Sequence, residues 1–154
     1  MARLRVLAIA AATGRIGYVF FIGDTLKQWA LSVKASTSPE LAAKQGAQWI
    51  DKLKPDVVIT EKIGVLSRKG LLTKQLIAAI ATVAENTYLN DIVVPRMQNF
   101  QNKYEEVKAL VKLYPELLPW APQKPPIWES EPRNMIYFEA LALALQIIDQ
   151  KEAV

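Results

Sequence analysis

The chain contains no cysteine and no histidine among its 154 residues. These absences exclude disulfides, zinc sites built on thiolate or imidazole ligands, and catalysis by Ser-His or Cys-His pairs. Any catalysis must therefore use carboxylates, lysine, tyrosine or hydroxyl groups. A metal site made only of oxygen ligands would favour a hard cation, Mg²⁺ or Mn²⁺.

Apolar runs long enough to cross a bilayer, roughly 18 residues, are also absent. The N-terminal segment MARLRVLAIAAATG has no small-residue cleavage site and reads as a buried strand instead of a signal peptide. We therefore expect a cytoplasmic protein without a membrane partner. The length predicts a single domain over residues 1–154, and the net charge of +4 permits a polyanionic partner without requiring one.

Apolar periodicity predicts an alternation of strands and helices. Strands are predicted over residues 4–10, 16–22, 25–33, 56–60 and 92–94, and helices over residues 38–54, 71–87, 104–113 and 133–150. Three consecutive strands before the first helix indicate an antiparallel meander, and the later strand-helix alternation indicates a parallel side. The fold class is therefore α/β, with a mixed five-stranded sheet and helices on both faces.

Two glutamates stand where the pattern predicts a functional position. Glu61 follows an apolar strand directly, at the edge where open α/β sheets place ligands, but strand-end placement alone favours a solvated acid at the start of a loop over a functional one. Glu139 has apolar helical neighbours on its own face, so we expect it to be buried. A buried carboxylate must be protonated, paired with a cation or bound to a metal, and the residues alone leave the last two open.

Basic residues surround the predicted position of Glu61. They are Arg15 in the first hairpin turn and Lys62, Arg68, Lys69 and Lys74 beyond the strand. This cluster would suit DNA phosphates, although an ordinary solvated loop has the same composition. Trp120 and Trp128, in a proline-rich connection, have two interpretations as well: stacking on bases, or anchoring the connection to the body of the protein.

Three segments together resemble the RuvC-like branch of the ribonuclease-H-like superfamily. LAIAAATGRIG, ending at Gly17, is similar to that family's first strand and turn, and DVVITE, ending at Glu61, is similar to its PDVVxxE strand. EALALAL, beginning at Glu139, is similar to the last helix, which begins with a catalytic aspartate. The matched segments follow the family's order along nearly the whole chain.

The resemblance implies a magnesium-dependent endonuclease that acts on branched DNA, usually as a homodimer. It places Glu61 and Glu139 at two of the positions whose acids hold the two metal ions. The first acid position falls on Ala10, and the additional acid one helical turn before the last falls on Ile136. Neither side chain offers an oxygen, so we expect an incomplete metal site and an impaired nuclease.

Ala10 is either a natural loss or a deliberate inactivating substitution. The retention of Glu61 and Glu139 favours a recent or deliberate loss, because a long-degenerate site has no reason to keep buried charge. The alternative function is a non-catalytic DNA-binding or scaffolding protein on the same fold. A protein or RNA partner for that fold is a third hypothesis.

Overall fold

The computed structural model describes residues 3–64, 67, 69–87, 90–96 and 100–148. Within these ranges the chain forms one five-stranded sheet in the order β3-β2-β1-β4-β5. The strands are β1 (Arg5–Ala12), β2 (Arg15–Ile22), β3 (Thr25–Ser32), β4 (Val57–Lys62) and β5 (Asn90–Pro95). The first three form an antiparallel meander, while β4 runs parallel to both β1 and β5. The predicted mixed sheet is therefore confirmed.

The α-helices of the described residues are α1 (Pro39–Leu53), α2 (Leu71–Glu85), α3 (Lys103–Leu113) and α4 (Met135–Ala144). Helix α1 begins as predicted, with the Ser38 hydroxyl accepting a hydrogen bond from the Leu41 amide at 3.2 Å. It ends at Lys54, whose φ of 51° lies in the left-handed region that terminates helices. No helix within the described ranges is long and apolar enough to cross a membrane.

Helices cover the sheet on both faces, which explains why β1 is a continuous apolar run. Helices α1 and α2 cover one face, where the rings of Tyr18 and Trp49 meet edge to face at 4.8 Å between centroids. Helix α4 and the segment after α3 cover the other face, where Phe21 and Tyr114 meet at 5.5 Å. Because α4 is inserted in this second layer, every residue of it except Ala142 is buried.

Helix α4 lies close to the sheet at a strand glycine. A β-carbon added to Gly17 of β2 would lie 2.6 Å from Cγ2 of Ile136, too close for any real contact. Gly17 is therefore needed for the approach of α4 to β2. The helix is shorter than predicted, because after Ala144 the amides of Gln146 and Ile147 bond to carbonyls three residues back.

Candidate functional site

Glu61 lies at the carboxyl end of β4, and its side chain is only 6% exposed. The ammonium of Lys69 lies 3.3 Å from Glu61 Oε1 and also donates to the Ala11 carbonyl at 3.1 Å. A single cation thus bridges the ends of β1 and β4 through two oxygens. Burial raises the pKa of Glu61, and the negative charge of Glu139 raises it further, so the lowering by Lys69 is outweighed.

Glu139 projects from α4, and its side chain is 4% exposed. Its Oε1 lies 3.0 Å from the ammonium of Lys103, while its Oε2 is buried without a hydrogen-bond partner among the described residues. Lys103 is the first residue of α3, and Asn102 fixes that helix start by accepting from the Tyr104 amide at 2.9 Å. The cap therefore positions the lysine that neutralises Glu139.

Lys103 is held by two carboxylates. Besides Glu139, its ammonium contacts Glu131 Oε1 at 3.1 Å. Burial alone would lower the pKa of Lys103, but the charges and hydrogen bonds of the two glutamates outweigh it, and the pKa lies above its ordinary value. Lys103 is therefore a fixed cation.

The two glutamates singled out in the sequence line the same cleft. This strand-end cleft has a volume of about 420 Å³ and is lined by Glu61, Lys62, Ser67, Lys69, Arg96, Lys103 and Glu139. The carboxyl end of β4 supplies Glu61, and α4 supplies Glu139 from the layer above the sheet. Residues separated by almost eighty positions in the sequence are thus brought to one edge of the sheet.

Ala10 lies in the apolar core next to this cleft. It is 2% exposed and belongs to the same core cluster as α4. Its partner across the ladder is Gly17, against which Ile136 packs. The two positions at which the resemblance lacks an acid, Ala10 and Ile136, therefore both lie beside Gly17, in an apolar contact.

The described residues do not fit a two-metal site. No group of three or more acidic side chains within them is placed to hold a cation. Glu61 and Glu139 each contact a lysine ammonium instead, and the side chain that packs against Gly17 is the apolar Ile136. Two carboxylates that are already neutralised supply too few oxygen ligands for a pair of hard cations.

The five predicted DNA-binding residues have different environments. Lys62 is exposed at the end of β4 and lines the strand-end cleft. Lys69 binds Glu61, and Lys74 is half-buried in the first turn of α2. Arg15 is buried at the start of β2 and forms an ion pair with Glu131. Arg68 lies outside the described residues.

The sequence interpretation did not identify Lys103 and Glu131. Neither lies in a segment with a recognisable motif, and the spacing of 36 residues between Lys103 and Glu139 carries no periodic signal. Arg96 also lines the cleft and pairs with Glu106, which is buried in α3. The only local signal was Asn102, a favourable helix cap directly before Lys103.

No protein-family model matches the chain, and no curated protein sequence matches it significantly. Solved structures, in contrast, match the chain over most of its length. The fowlpox virus Holliday junction resolvase aligns over 93% of this chain and 97% of its own, with 16% identity and a TM-score of 0.60. The yeast mitochondrial Holliday junction resolvase Ydc2 aligns over 93% of this chain and 78% of its own, with 12% identity and a TM-score of 0.59.

Thermus thermophilus RuvC, in complex with a Holliday junction substrate, aligns over 92% of this chain and 91% of its own, with 15% identity and a TM-score of 0.55. These identities are low, and the likeness concerns the path of the backbone. It extends over most of this chain and most of each neighbour. The chain therefore has the ribonuclease-H-like fold of the RuvC-type Holliday junction resolvases.

Proposed function

We propose that this protein binds branched DNA through the strand-end cleft and that, with Ala10 in β1, it hydrolyses DNA weakly or not at all. The observation that carries the proposal is the neutralisation of both retained acids, Glu61 by Lys69 and Glu139 by Lys103. Each carboxylate already has a cation, so neither depends on a metal ion for charge compensation. Magnesium or manganese would bind weakly at most.

Charge in the cleft supports a polyanionic ligand. Four of its lining side chains are cationic, Lys62, Lys69, Arg96 and Lys103, against two carboxylates. Among the described residues no ion pair is formed by Lys62, so its charge is available to a phosphate. One solved structure of the same fold contains RuvC together with its junction substrate, which makes branched DNA the first ligand to test.

The second candidate is a metal-dependent junction endonuclease that is impaired at residue 10. It is favoured by the buried Oε2 of Glu139, which has no hydrogen-bond partner among the described residues and could accept a cation. A homodimer, as implied by the family resemblance, belongs to both candidates.

Binding and cleavage of synthetic DNA distinguish the two candidates. Fluorescence anisotropy should show tighter binding to a four-way junction than to duplex DNA or duplex RNA, in EDTA as well as in Mg²⁺, with affinity falling as salt rises. Cleavage of the same junction should be absent with Mg²⁺ or Mn²⁺. Equal affinity for the junction, duplex DNA and duplex RNA would contradict the proposal, and so would the absence of binding to all three.

Glu61→Gln provides the matched variant for both assays. If the protein only binds DNA, this change preserves or slightly raises junction affinity, because it removes a negative charge from the cleft. If the protein is an impaired nuclease, Ala10→Asp produces junction cleavage that Glu61→Gln abolishes in the double variant. The native chain, Ala10→Asp and the double variant thus separate the two functions.

A further inference from the structure

Glu131 occupies a cradle formed by two cations. Its Oε2 is bound by the Arg15 guanidinium, and its Oε1 lies 3.1 Å from the Lys103 ammonium. Burial acts to raise the pKa of Glu131, but Lys103 and Arg15 outweigh it, and the pKa lies below its ordinary value. Glu131 is thus an anion held between a guanidinium and an ammonium.

The cradle belongs to a second cleft next to the first. This hairpin cleft has a volume of about 430 Å³ and is lined by Ala12, Thr13, Arg15, Lys69, Thr73, Lys103, Ser130, Glu131 and Glu139. The Arg15 side chain is 7% exposed, and its Nη1 donates to the Thr13 carbonyl at 2.7 Å. Its Nε is buried and has no hydrogen-bond partner within the described part of the chain. Arg15 therefore retains one unused donor.

The segment that carries Glu131 is loosely packed. We call residues 123–132 the strap; none of them is buried, Ile127 is fully exposed and Trp128 is 83% exposed. The ion pairs of Glu131 with Arg15 and Lys103 tie the strap to β2 and α3. Moving the strap away would take none of its own side chains out of the core, because none of them is buried.

We propose that Arg15 and Lys103 form a subsite for a DNA backbone phosphate, and that Glu131 fills this subsite until DNA displaces it. The inference rests on the proposed function and adds a location to it. A guanidinium fork suits a phosphate as well as a carboxylate, so Arg15 and Lys103 would each exchange an ion pair with Glu131 for an ion pair with the phosphate. Lys103 keeps its contact with Glu139 during the exchange. The predicted role of Arg15 in DNA binding then requires Glu131 to leave.

Glu131→Gln tests the exchange directly, with Glu129→Gln as the matched control. Glu129 lies in the same strap, is exposed and forms no ion pair within the described residues. Its substitution changes the net charge by the same amount as Glu131→Gln but breaks no ion pair. We expect Glu131→Gln to bind a four-way junction roughly three- to tenfold more tightly than the native chain. Glu129→Gln should change the affinity by less than about twofold. Arg15→Lys combined with Glu131→Gln should lose part of the gain, since lysine lacks the fork.

Equal gains in both glutamine variants would reveal a simple charge effect and overturn the subsite, as would unchanged or weaker binding by Glu131→Gln. Thermal unfolding in phosphate, compared with chloride at equal ionic strength, tests the phosphate subsite without DNA and therefore independently of junction binding. Phosphate should stabilise Glu131→Gln more than Glu129→Gln even if neither variant binds a junction. Absence of that difference contradicts the subsite, and absence of junction binding alone contradicts the proposed function.

Discussion

The cleft contains two carboxylate–lysine pairs that differ in how well the charge is compensated. Glu61 pairs with Lys69 at 3.3 Å, and burial still raises the pKa of that carboxyl. Glu139 pairs with Lys103 at 3.0 Å inside a larger network that also includes Glu131 and Arg15. The helix side is therefore a connected network of alternating charges, while on the strand side Glu61 forms an ion pair with Lys69 alone.

The difference indicates that the Glu61 side of the cleft retains a capacity to bind an additional cation. A buried carboxylate with a raised pKa is incompletely stabilised as an anion, so Glu61 would gain from an additional cation. The retained charge of both acids also has a physical reason. Lys69 and Lys103 make buried glutamates tolerable without a metal, so their presence does not require a recent loss of activity.

Ala10 and Ile136 are packed as core residues. Ile136 is fully buried against Gly17, which is the ladder partner of Ala10. A natural loss at Ala10 and a deliberate substitution there both stay predictions.

Ala10→Asp should have the largest effect on stability. The new carboxylate would be buried next to the incompletely neutralised strand pair, with no cation of its own. We expect the free energy of unfolding to fall by roughly 2–5 kcal/mol in EDTA. Mn²⁺ should restore part of this loss, because the variant adds oxygen ligands beside Glu61. Denaturant unfolding of the native chain and the variant, with and without Mn²⁺, measures both the loss and its recovery. If Mn²⁺ stabilised the native chain as much as the variant, the new carboxylate would not be the cause of the recovery.

Lys103→Ala should destabilise the protein more than Lys69→Ala. Removal of Lys103 leaves Glu139 buried without its cation and takes away one of the two cations that hold Glu131, which we expect to cost roughly 1–3 kcal/mol. Removal of Lys69 should cost less than about 1 kcal/mol, because Glu61 can take up a proton instead. Denaturant unfolding at neutral pH measures both. Recovery of part of the loss in Lys103→Ala by Glu139→Gln would show that the uncompensated carboxylate is its cause.

Most of the fold was predictable, since β1 and β2 are apolar runs bounded by turn residues and α1 carries a serine cap followed by proline. The end of α4 was not predictable. The residues after Ala144 are good helix formers without a stop signal, and the change to three-residue hydrogen bonding depends on tertiary packing.

The site was predictable for its two acids and for the lysines beyond β4, but not for Lys103 and Glu131. Glu61 was identified from its place at a strand end, and Glu139 from its apolar helix face. For Glu139 the sequence left a cation partner and a metal equally open, and the structure places Lys103 beside it. That contact joins two helices from opposite sides of a proline-rich connection, and no local pattern encodes such a distance in space.

The two halves of the site should respond to pH in opposite directions. The folded pKa of Glu61 lies above its unfolded value, so its contribution to stability falls as the pH rises through that interval. The folded pKa of Glu131 lies below its unfolded value, so its contribution is present above the ordinary pKa and is lost as the pH falls. Glu61→Gln should therefore raise stability at neutral pH, and Glu131→Gln should lower it.

Unfolding free energies between pH 3 and pH 7 measure this contrast. Both differences from the native chain should shrink toward the acid end, where the carboxyls of the native chain are protonated too. If both variants differed from the native chain in the same direction, the Glu61–Lys69 pair and the network of Glu139, Lys103, Glu131 and Arg15 would be electrostatically equivalent, and the contrast would be wrong.

Lys62→Gln should have the smallest effect and should be confined to DNA binding. Lys62 lines the strand-end cleft beside Glu61 but belongs to neither carboxylate–lysine pair, so its loss leaves both intact. If it contacts one phosphate, junction affinity should fall roughly two- to fivefold and the salt dependence should decrease by about one unit. Lys27→Gln, an exposed change on the edge strand β3, is the control and should leave both quantities unaltered. Equal losses in the two variants would mean that DNA responds to the net charge of the protein and not to the cleft.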